Sequence, residues 1–572
     1  MWEVDKILSK LDENAIKRLK KIYEPVVVGK PYEDARRSMM VMPDGEIRVY
    51  GHYDYKTYGD KDALPCYTSS IDGGLTWSFH DAPKGCMGAG LYIPEVNRYV
   101  AVKEVFNADK TFSTYAYISN VGPNDTNFKI VDTGANAFDV FQPYFINNRK
   151  RLISVGHCYY KEKDEHHPIF MYSDDYGDSW KYVELKSSIR FTERYPNEVP
   201  RWENSGGESI VAEMPDGRLM LIARTSLDNF YVYYSSDMGE TWTDGEDSYF
   251  NGTLTTPFFL QLKDKRTMFF FNNTQKLPLE KECILAKDSS HRHVFTNRDA
   301  NHVAITSDFI NWTGFREMHL NPIRNRTDYR TYGNTYQSRD KSVHQFQAIE
   351  LPFNKVLVCM GQSETCVLKI FDIDWVYEKT RYEDFSKGLE NLSTHLYVKS
   401  YSGSMGILGH CQWNRVNGAL LVPTPELDGR EALSICHTSD PRLYSNKQGV
   451  VWNFPNAKKG SLELKLYRLT KGVSVSLLNR WFNPCDETVK NHAVFNFKLT
   501  ENELTEKEWE TIKIDFDLNN KKALISKNGK LLFESELLNE VYHGISYIHI
   551  QTDCDKGDYE GVLLKSMDFK GE

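Results

Sequence analysis

The chain has 572 residues, of which 13% are aromatic and 26% are charged, and its formal net charge is −9. This composition is typical of a folded protein with more than one domain and excludes extensive disorder. The negative charge argues against nucleic acid as a partner, and the absence of any run of 18 apolar residues argues against a membrane-spanning helix.

No cofactor is predicted. The ten Cys residues contain no C-x-x-C pair, and neither ligand-spaced Cys and His nor a Gly-rich phosphate loop occurs. The acidic start Met1–Asp5 does not resemble a signal peptide. We therefore expect a cytoplasmic protein, or a secreted one whose leader has been removed, and the sequence leaves its oligomeric state open.

The first 24 residues predict an amphipathic helix. Val4, Ile7, Leu8 and Leu11 recur at helical spacing, with charged residues between them. From residue 25 to 378 the pattern changes to short apolar runs joined by turns, which predicts an all-β domain. One unit, two strands around a tight turn, recurs six times, as at Pro215–Gly217.

A second motif, Ser-x-Asp-x-Gly-x-Thr/Ser-Trp, follows several of these hairpins. Its clear copies are Ser70–Trp77, Ser173–Trp180 and Ser235–Trp242, and a degenerate copy is Thr306–Trp312. Asp and Ser favour such turns because their side chains bond the turn backbone, and Gly accepts a positive φ.

These copies resemble the Asp-box of the sialidase and BNR-repeat families. The resemblance covers roughly 25–378 and implies a six-bladed β-propeller, in which Asp72, Asp175 and Asp237 are structural. Residues 379–395 predict a linker or helix. Strand-like alternation in 396–572, with an Asn528–Gly529 turn, resembles concanavalin-like domains and predicts a lectin-like jelly-roll β-sandwich.

Candidate site residues come from one edge of the predicted hairpins, because the start of a first strand and the end of the second lie together. Polar residues recur there and require partners when buried. The candidates at strand starts are Arg36, Arg37, Gln142, Glu208, His344 and Gln345. Those at or beyond strand ends are Asp54, His157 and Arg224.

Glu208 and Arg224 resemble the glutamate and an arginine of the sialidase site, with matching spacing. The resemblance implies that Arg224, with Arg36 or Arg37, binds a substrate carboxylate. The alternative is a buried ion pair that only stabilises the fold. In the first blade Asp54 stands where sialidases carry another arginine, and Asp60 falls near their acid/base position, although a solvated loop carboxylate explains Asp60 equally well.

The family's tyrosine nucleophile has no counterpart at its usual place, because Glu364–Val367 contains no tyrosine. A substitute must come from one of four loop tyrosines, Tyr53, Tyr58, Tyr332 and Tyr336, or from a water activated by a carboxylate or imidazole. His157 and His344 are the candidate imidazoles. The loop 276–340, which includes Arg339, is long enough to fold over the site.

We therefore predict an exo-acting glycoside hydrolase of sialidase-like fold that acts on a terminal, acidic sugar of a glycan. Glu208 and Asp54 or Asp60 would transfer protons, while the arginines hold the carboxylate. One alternative is a carbohydrate-binding protein without catalysis. Another is a glycosidase or lyase in which a histidine or carboxylate replaces the tyrosine.

Overall fold

The protein is described by a computed structural model that covers residues 3–31, 38–53, 64–108, 111–146, 151–160, 165–186, 206–225, 227, 229–252, 255–274, 298–320, 343, 345–361, 365–398 and 415–572. Its described part is almost wholly β. It contains six four-stranded antiparallel sheets, followed by two larger sheets. No helix within the described ranges is long and apolar enough to span a membrane.

The six small sheets are numbered in chain order. Sheet 1 consists of Met39–Val41, Ile47–Tyr53, Leu64–Ser70 and Ser78–Asp81; sheet 2 of Leu91–Ile93, Arg98–Phe106, Phe112–Ser119 and Lys129–Asp132; sheet 3 of Tyr144–Phe145, Leu152–Tyr160, Glu165–Ser173 and Lys181–Glu184. Sheet 4 consists of Ser209–Glu213, Leu219–Arg224, Asn229–Ser235 and Glu246–Asn251; sheet 5 of Phe258–Gln261, Thr267–Phe271, Ala300–Thr306 and Thr313–Leu320; sheet 6 of Gln347–Leu351, Lys355–Met360, Val367–Asp372 and Val26–Gly29.

Sheet 6 joins the two ends of this region. Its outer strand, Val26–Gly29, comes from the start of the chain and pairs with Val367–Asp372. Sheets 6 and 1 also share one apolar cluster. The Gln347 amide donates to the Met39 carbonyl at 2.7 Å and accepts from the Met39 N–H at 2.6 Å. The sixth sheet therefore packs on the first.

The N-terminal segment forms two helices, Glu3–Lys10 and Glu13–Lys21, rather than the single helix expected for residues 1–24. The helix is interrupted at Asp12, whose extended backbone and carboxylate cap the second helix by accepting from the Ala15 N–H at 2.7 Å. The spacing of the apolar residues continues across this cap, so periodicity alone did not reveal the break.

The C-terminal region contains two sheets that share one apolar core. The eight-stranded sheet consists of Thr380–Glu383, Leu420–Pro423, Glu431–His437, Lys459–Arg468, Trp509–Asp517, Lys522–Lys527, Lys530–Glu536 and Asp558–Gly571. The five-stranded sheet consists of Leu392–Ser393, Gly449–Ala457, Val473–Leu478, Phe495–Leu499 and Ile545–Thr552. A separate strand pair, Leu396–Tyr397 with Arg415–Val416, the short α-helix Ile373–Val376 and the 3-10 helices Pro94–Val96 and Val489–Asn491 complete the regular elements of the described residues.

The predicted linker or helix 379–395 is partly a strand of the larger sheet. Thr380–Glu383 pairs with the end of Asp558–Gly571, and Leu392–Ser393 pairs with Gly449–Ala457. Thr380–Glu383 tolerates charged residues because its side chains remain exposed or partly exposed, whereas Leu392–Ser393 is buried. The C-terminal sheets therefore begin about 15 residues earlier than expected.

The three motif turns have the same geometry. In each, the Ser hydroxyl donates to the Asp at 2.8 Å and accepts from the Gly N–H at 2.8 Å. The Trp indole donates to the carbonyl of that Gly at 3.0–3.1 Å. Ser235 pairs with Leu219, at the other end of the strand from Arg224. The turns thus lie at the edge opposite Arg224.

A buried chain of hydrogen bonds joins sheet 5 to the C-terminal sheets. The Asn273 N–H donates to His302 Nδ1 at 3.0 Å, which leaves the ring proton on Nε2, 2.5 Å from the Tyr547 hydroxyl. Tyr547 in turn donates to Glu317 Oε2 at 2.6 Å. Burial lowers the pKa of His302 to about 3, so the ring stays neutral at ordinary pH.

The turn at Asp237 provides a test of the repeated motif. Hydrogen bonds from the Thr241 hydroxyl and N–H lower the pKa of Asp237 to about 2. Asp237→Ala should lower the free energy of unfolding by about 1–2 kcal/mol, measured by urea denaturation at pH 7. Because the folded pKa is depressed, this contribution is present above pH ~4 and should fade as the pH falls towards 2. The exposed neighbour Ser236→Ala should change nothing; equal losses would contradict the motif's role.

Candidate functional site

The candidate site is built on the first hairpin of sheet 4. Glu208 stands immediately before Ser209–Glu213, and Arg224 ends the paired strand. The Arg224 N–H donates to the Glu208 carbonyl at 3.0 Å, which fixes the two residues opposite each other. Their side chains form an ion pair, and both are buried. We call the end of the sheets at which Glu208 and Arg224 lie the Arg224 edge.

Two further side chains reach Glu208 from neighbouring sheets. The Thr256 hydroxyl donates to Glu208 Oε2 at 2.7 Å, and the Gln345 amide lies 3.4 Å from Oε1. Thr256 precedes the first strand of sheet 5, and Gln345 precedes that of sheet 6. Sheets 4, 5 and 6 therefore converge on one buried carboxylate.

Gln345 occupies an unusual backbone conformation. Its φ is 70°, in the left-handed region that side-chain-bearing residues adopt rarely. Such conformations persist only where the surroundings enforce them, and they are frequent at functional sites. Here the conformation places a 95%-buried amide beside Glu208.

Gln142 and His157, from sheet 3, have different surroundings. The Gln142 amide lies 3.4 Å from both the N–H and the carbonyl of Val102, and so bridges sheets 3 and 2. The same bridge occurs at Gln261 and Gln347, which indicates a structural role for the amide. Contact of Gln142 with substrate stays a prediction.

His157 is fully buried in a cluster of rings. Its ring centroid lies 4.0 Å from that of Phe138 and 5.0 Å from that of His166. Its strand partner is Pro168, and the Cβ of any larger residue at Gly206 would lie 2.7 Å from Pro168. The glycine thus lets the segment leading to Glu208 pack against the strand beside His157. A catalytic role for His157 stays a prediction.

The other candidates lie outside the described residues. They are Arg36, Arg37, Asp54, Asp60, Arg339 and His344. The same holds for three of the four substitute tyrosines, Tyr58, Tyr332 and Tyr336, whereas Tyr53 ends the second strand of sheet 1. Their roles also stay predictions. At the family's usual tyrosine position the described residues Thr365 and Cys366 are buried.

The structure adds residues that the sequence did not single out. Thr256 is one of them, and its only sequence signal is a polar Thr-Thr pair before an apolar strand. Arg298 is another: it is buried just before Ala300–Thr306, and its carbonyl accepts from the Val343 N–H at 2.9 Å. The strand register places Arg298 at the same end of sheet 5 as the Arg224 edge.

The C-terminal region also reaches this place. Arg415 forms a 2.5 Å ion pair with Asp299, the residue after Arg298, and both side chains are almost inaccessible to solvent. The Arg415 guanidinium also lies over the ring of Tyr397 at 5.1 Å. Arg415, about 190 residues after Arg224 in the sequence, therefore holds in place the segment that contains Arg298. The sequence alone gave no indication of this pairing.

No family model matches the chain. A 235-residue stretch is 27% identical to the anhydrosialidase of Macrobdella decora. Part of the sequence is similar to an anhydrosialidase. The match covers 38% of this chain and 26% of that protein, so the chain spans about a quarter of the relative's length.

Solved structures with similar backbones include Trypanosoma rangeli sialidase, which is 12% identical, with 95% of this chain and 92% of that chain covered and a TM-score of 0.39. A protein of unknown function from Dyadobacter fermentans DSM 18053 is 16% identical, with 62% of this chain and 99% of that chain covered and a TM-score of 0.41. Both likenesses are distant.

The ion pair predicts a measurable coupling. Arg224→Met should lower the free energy of unfolding by about 3–5 kcal/mol, because it leaves the Glu208 charge buried without its partner. The double variant Arg224→Met/Glu208→Gln should lose clearly less than the sum of the single variants. Urea denaturation of the four proteins measures the difference.

Arg218→Met is the matched control, because Arg218 pairs with Asp216 in the exposed turn of the same hairpin. It should cost less than about 1 kcal/mol. Additive losses in the double variant would contradict a tight Glu208–Arg224 pair.

Proposed function

We propose that this chain is an exo-acting glycoside hydrolase of sialidase-like fold that acts on a terminal, acidic sugar of a glycan. The observation that carries the proposal is the buried Glu208–Arg224 pair, which Thr256 and Gln345 join from two further sheets. A carboxylate and a guanidinium held together at a junction of sheets are groups suited to carboxylate binding and proton transfer. The partial similarity to an anhydrosialidase supports the same chemistry.

The proposal includes the architecture. The six small sheets would be the blades of a β-propeller, with the Asp-box turns on the side away from the site. The packing of sheet 6 on sheet 1 supports this arrangement. The two C-terminal sheets would form a jelly-roll sandwich of the concanavalin-like kind.

In this proposal the arginines bind the substrate carboxylate. Arg224, with Arg36 or Arg37, would hold it through bidentate hydrogen bonds, for which the guanidinium fork is suited. Arg298 is a further candidate, because it is buried at the same end of the neighbouring sheet. Glu208 orients Arg224 by its ion pair.

Proton transfer would fall to Glu208 and to Asp54 or Asp60. A carboxylic acid protonates the departing oxygen, and a second base, a carboxylate or the His157 imidazole, activates water. Glu364–Val367 contains no tyrosine, so no covalent sugar–tyrosine intermediate can form at that position. This favours the water route.

Hydrolysis of 3′-sialyllactose tests the function. Glu208→Gln preserves size and most contacts but removes the charge, so kcat should fall by about 10²–10⁴-fold. Glu246→Gln, on the exposed outer strand of sheet 4, should retain full activity. An unchanged rate in Glu208→Gln would limit that residue to a structural role. Saturable glycan binding without turnover of any sialylated or uronic-acid substrate would instead indicate a carbohydrate-binding protein.

The stereochemistry tests the water route separately. A single attack by water inverts the anomeric centre, whereas a protein nucleophile retains it. We expect proton NMR of the first-formed product to show the inverted anomer. Retention, together with trapping of a sugar linked to a tyrosine, would exclude the water route and leave the proposed substrate class intact.

A further inference from the structure

A cavity of about 600 Å³ lies between the six-sheet region and the C-terminal sheets. Its walls include Arg316–Leu320 on the outer strand of sheet 5, Val27 and Lys369 on sheet 6, and Thr380–Asp384 on the opposite side. We call it the interdomain cleft. Its volume falls within the range of small-molecule sites, which occur preferentially between domains. None of the residues predicted for the catalytic site lines it.

Two buried cations, Arg316 and Lys369, lie in the cleft wall. Arg316 is 2% exposed, and its Nη1 donates to the Trp375 carbonyl and to Glu378, at 2.8 and 2.9 Å. Its guanidinium also lies over the Trp375 ring at 4.2 Å, and its Nε is closed off from solvent. Lys369, 9% exposed, makes one hydrogen bond to the described residues, 2.8 Å long, to the Met318 carbonyl. The remaining N–H groups of its ammonium need further partners.

The same wall also offers an acceptor. Glu317 Oε2 accepts from Tyr547, while no described residue donates to Oε1. Burial raises the pKa of Glu317, and burial lowers the pKa of Lys369 to about 8. Both shifts make it easier for Glu317 and Lys369 to change between their charged and neutral forms. Hydrogen-bond donors and an acceptor thus lie close together in the wall of the cleft.

The charge balance selects the kind of ligand. Among the described residues that line the cleft, six are acidic and four are Lys or Arg. An anion would meet the excess of carboxylates, whereas a cation would meet the positive charges of Arg316 and Lys369 and leave the Lys369 donors unsatisfied. A neutral molecule with many hydroxyl groups both donates and accepts, and so fits both sets.

An exposed aromatic side chain, that of Tyr382, lies at the opening of the cleft. Tyr382 lines the cleft and is 61% exposed, and its strand alternates so that the ring faces away from the core. An exposed aromatic face beside convergent polar groups provides apolar contact for one side of a ligand. A pyranose ring has both an apolar face and peripheral hydroxyl groups.

We propose that the interdomain cleft binds a neutral sugar unit of a glycan, at a place distinct from the Arg224 edge. The cleft joins sheets 5 and 6 to the C-terminal sheets, so an occupied cleft anchors the glycan to both parts of the protein. This proposal does not depend on hydrolysis. A chain without catalytic activity would bind sugar there equally well.

Titration of the full-length chain with lactose, followed by saturation-transfer NMR, tests the proposal. Wild type should bind saturably, and Tyr382→Ala should weaken binding at least tenfold. Ser386→Trp, which places a bulky ring at an exposed position of the cleft wall, should also abolish binding. Tyr559→Ala is the matched control, because Tyr559 is 68% exposed in the same sheet outside the cleft, and it should bind like wild type.

The proposal would be overturned by the absence of saturable lactose binding or by equal affinity in wild type and both cleft variants. Loss of lactose binding only in Glu208→Gln would overturn it too, because it would assign the sugar to the Arg224 edge. Binding of inorganic phosphate in place of lactose would also overturn it, because the cleft would then be an anion site. Hydrolysis of 3′-sialyllactose is measured in a separate assay. If no hydrolysis is found, the lactose-binding result still tests the cleft.

Discussion

The pairing of Val26–Gly29 with Val367–Asp372 is the constraint on which the rest of the structure depends. It joins the beginning of the six-sheet region to its end. The sheets between these two strands must therefore pack within the distance that this pairing sets. The Gln347 bridge to Met39 and the shared apolar cluster reinforce the same junction. Contacts of such large sequence separation cost loop-closure entropy, which the burial of apolar strands must offset.

This junction explains why polar groups are tolerated at the Arg224 edge. Sheet 6 is held in place by the chain start, and it is sheet 6 that brings Gln345 to Glu208. A buried carboxylate is costly to desolvate, and here an arginine, a threonine and a glutamine from three sheets share that cost. The ion pair is therefore a product of the packing of several sheets as well as of one hairpin. The proposed function assigns substrate binding to this centre.

The C-terminal sheets belong to the same structural unit as the site. Through the His302–Tyr547–Glu317 chain and the Arg415–Asp299 pair they contact sheet 5 at two buried places. The second of these places lies next to Arg298, on the side where the site is proposed. A simple appended lectin module would not require buried charge pairing of this kind. The first of these contacts borders the interdomain cleft, because Glu317 lines it, so the proposed sugar binding there is physically linked to the packing of sheet 5.

The sequence by itself determined the all-β class, the six hairpins, the repeated Ser-Asp-Gly-Trp turns and the position of Glu208 and Arg224 at one end of one hairpin, because each depends on local spacing or on residues 16 positions apart. It left open whether those two residues bind substrate or form a buried ion pair. It missed the break at Asp12 and the strand Thr380–Glu383, where local periodicity was ambiguous. Only the tertiary structure decided that Thr256 and Gln345 meet Glu208, that Gln142 bridges two sheets, and that Arg415 holds Asp299. These contacts join segments tens to hundreds of residues apart, and no pattern within a single strand encodes which distant partner will satisfy a buried polar group.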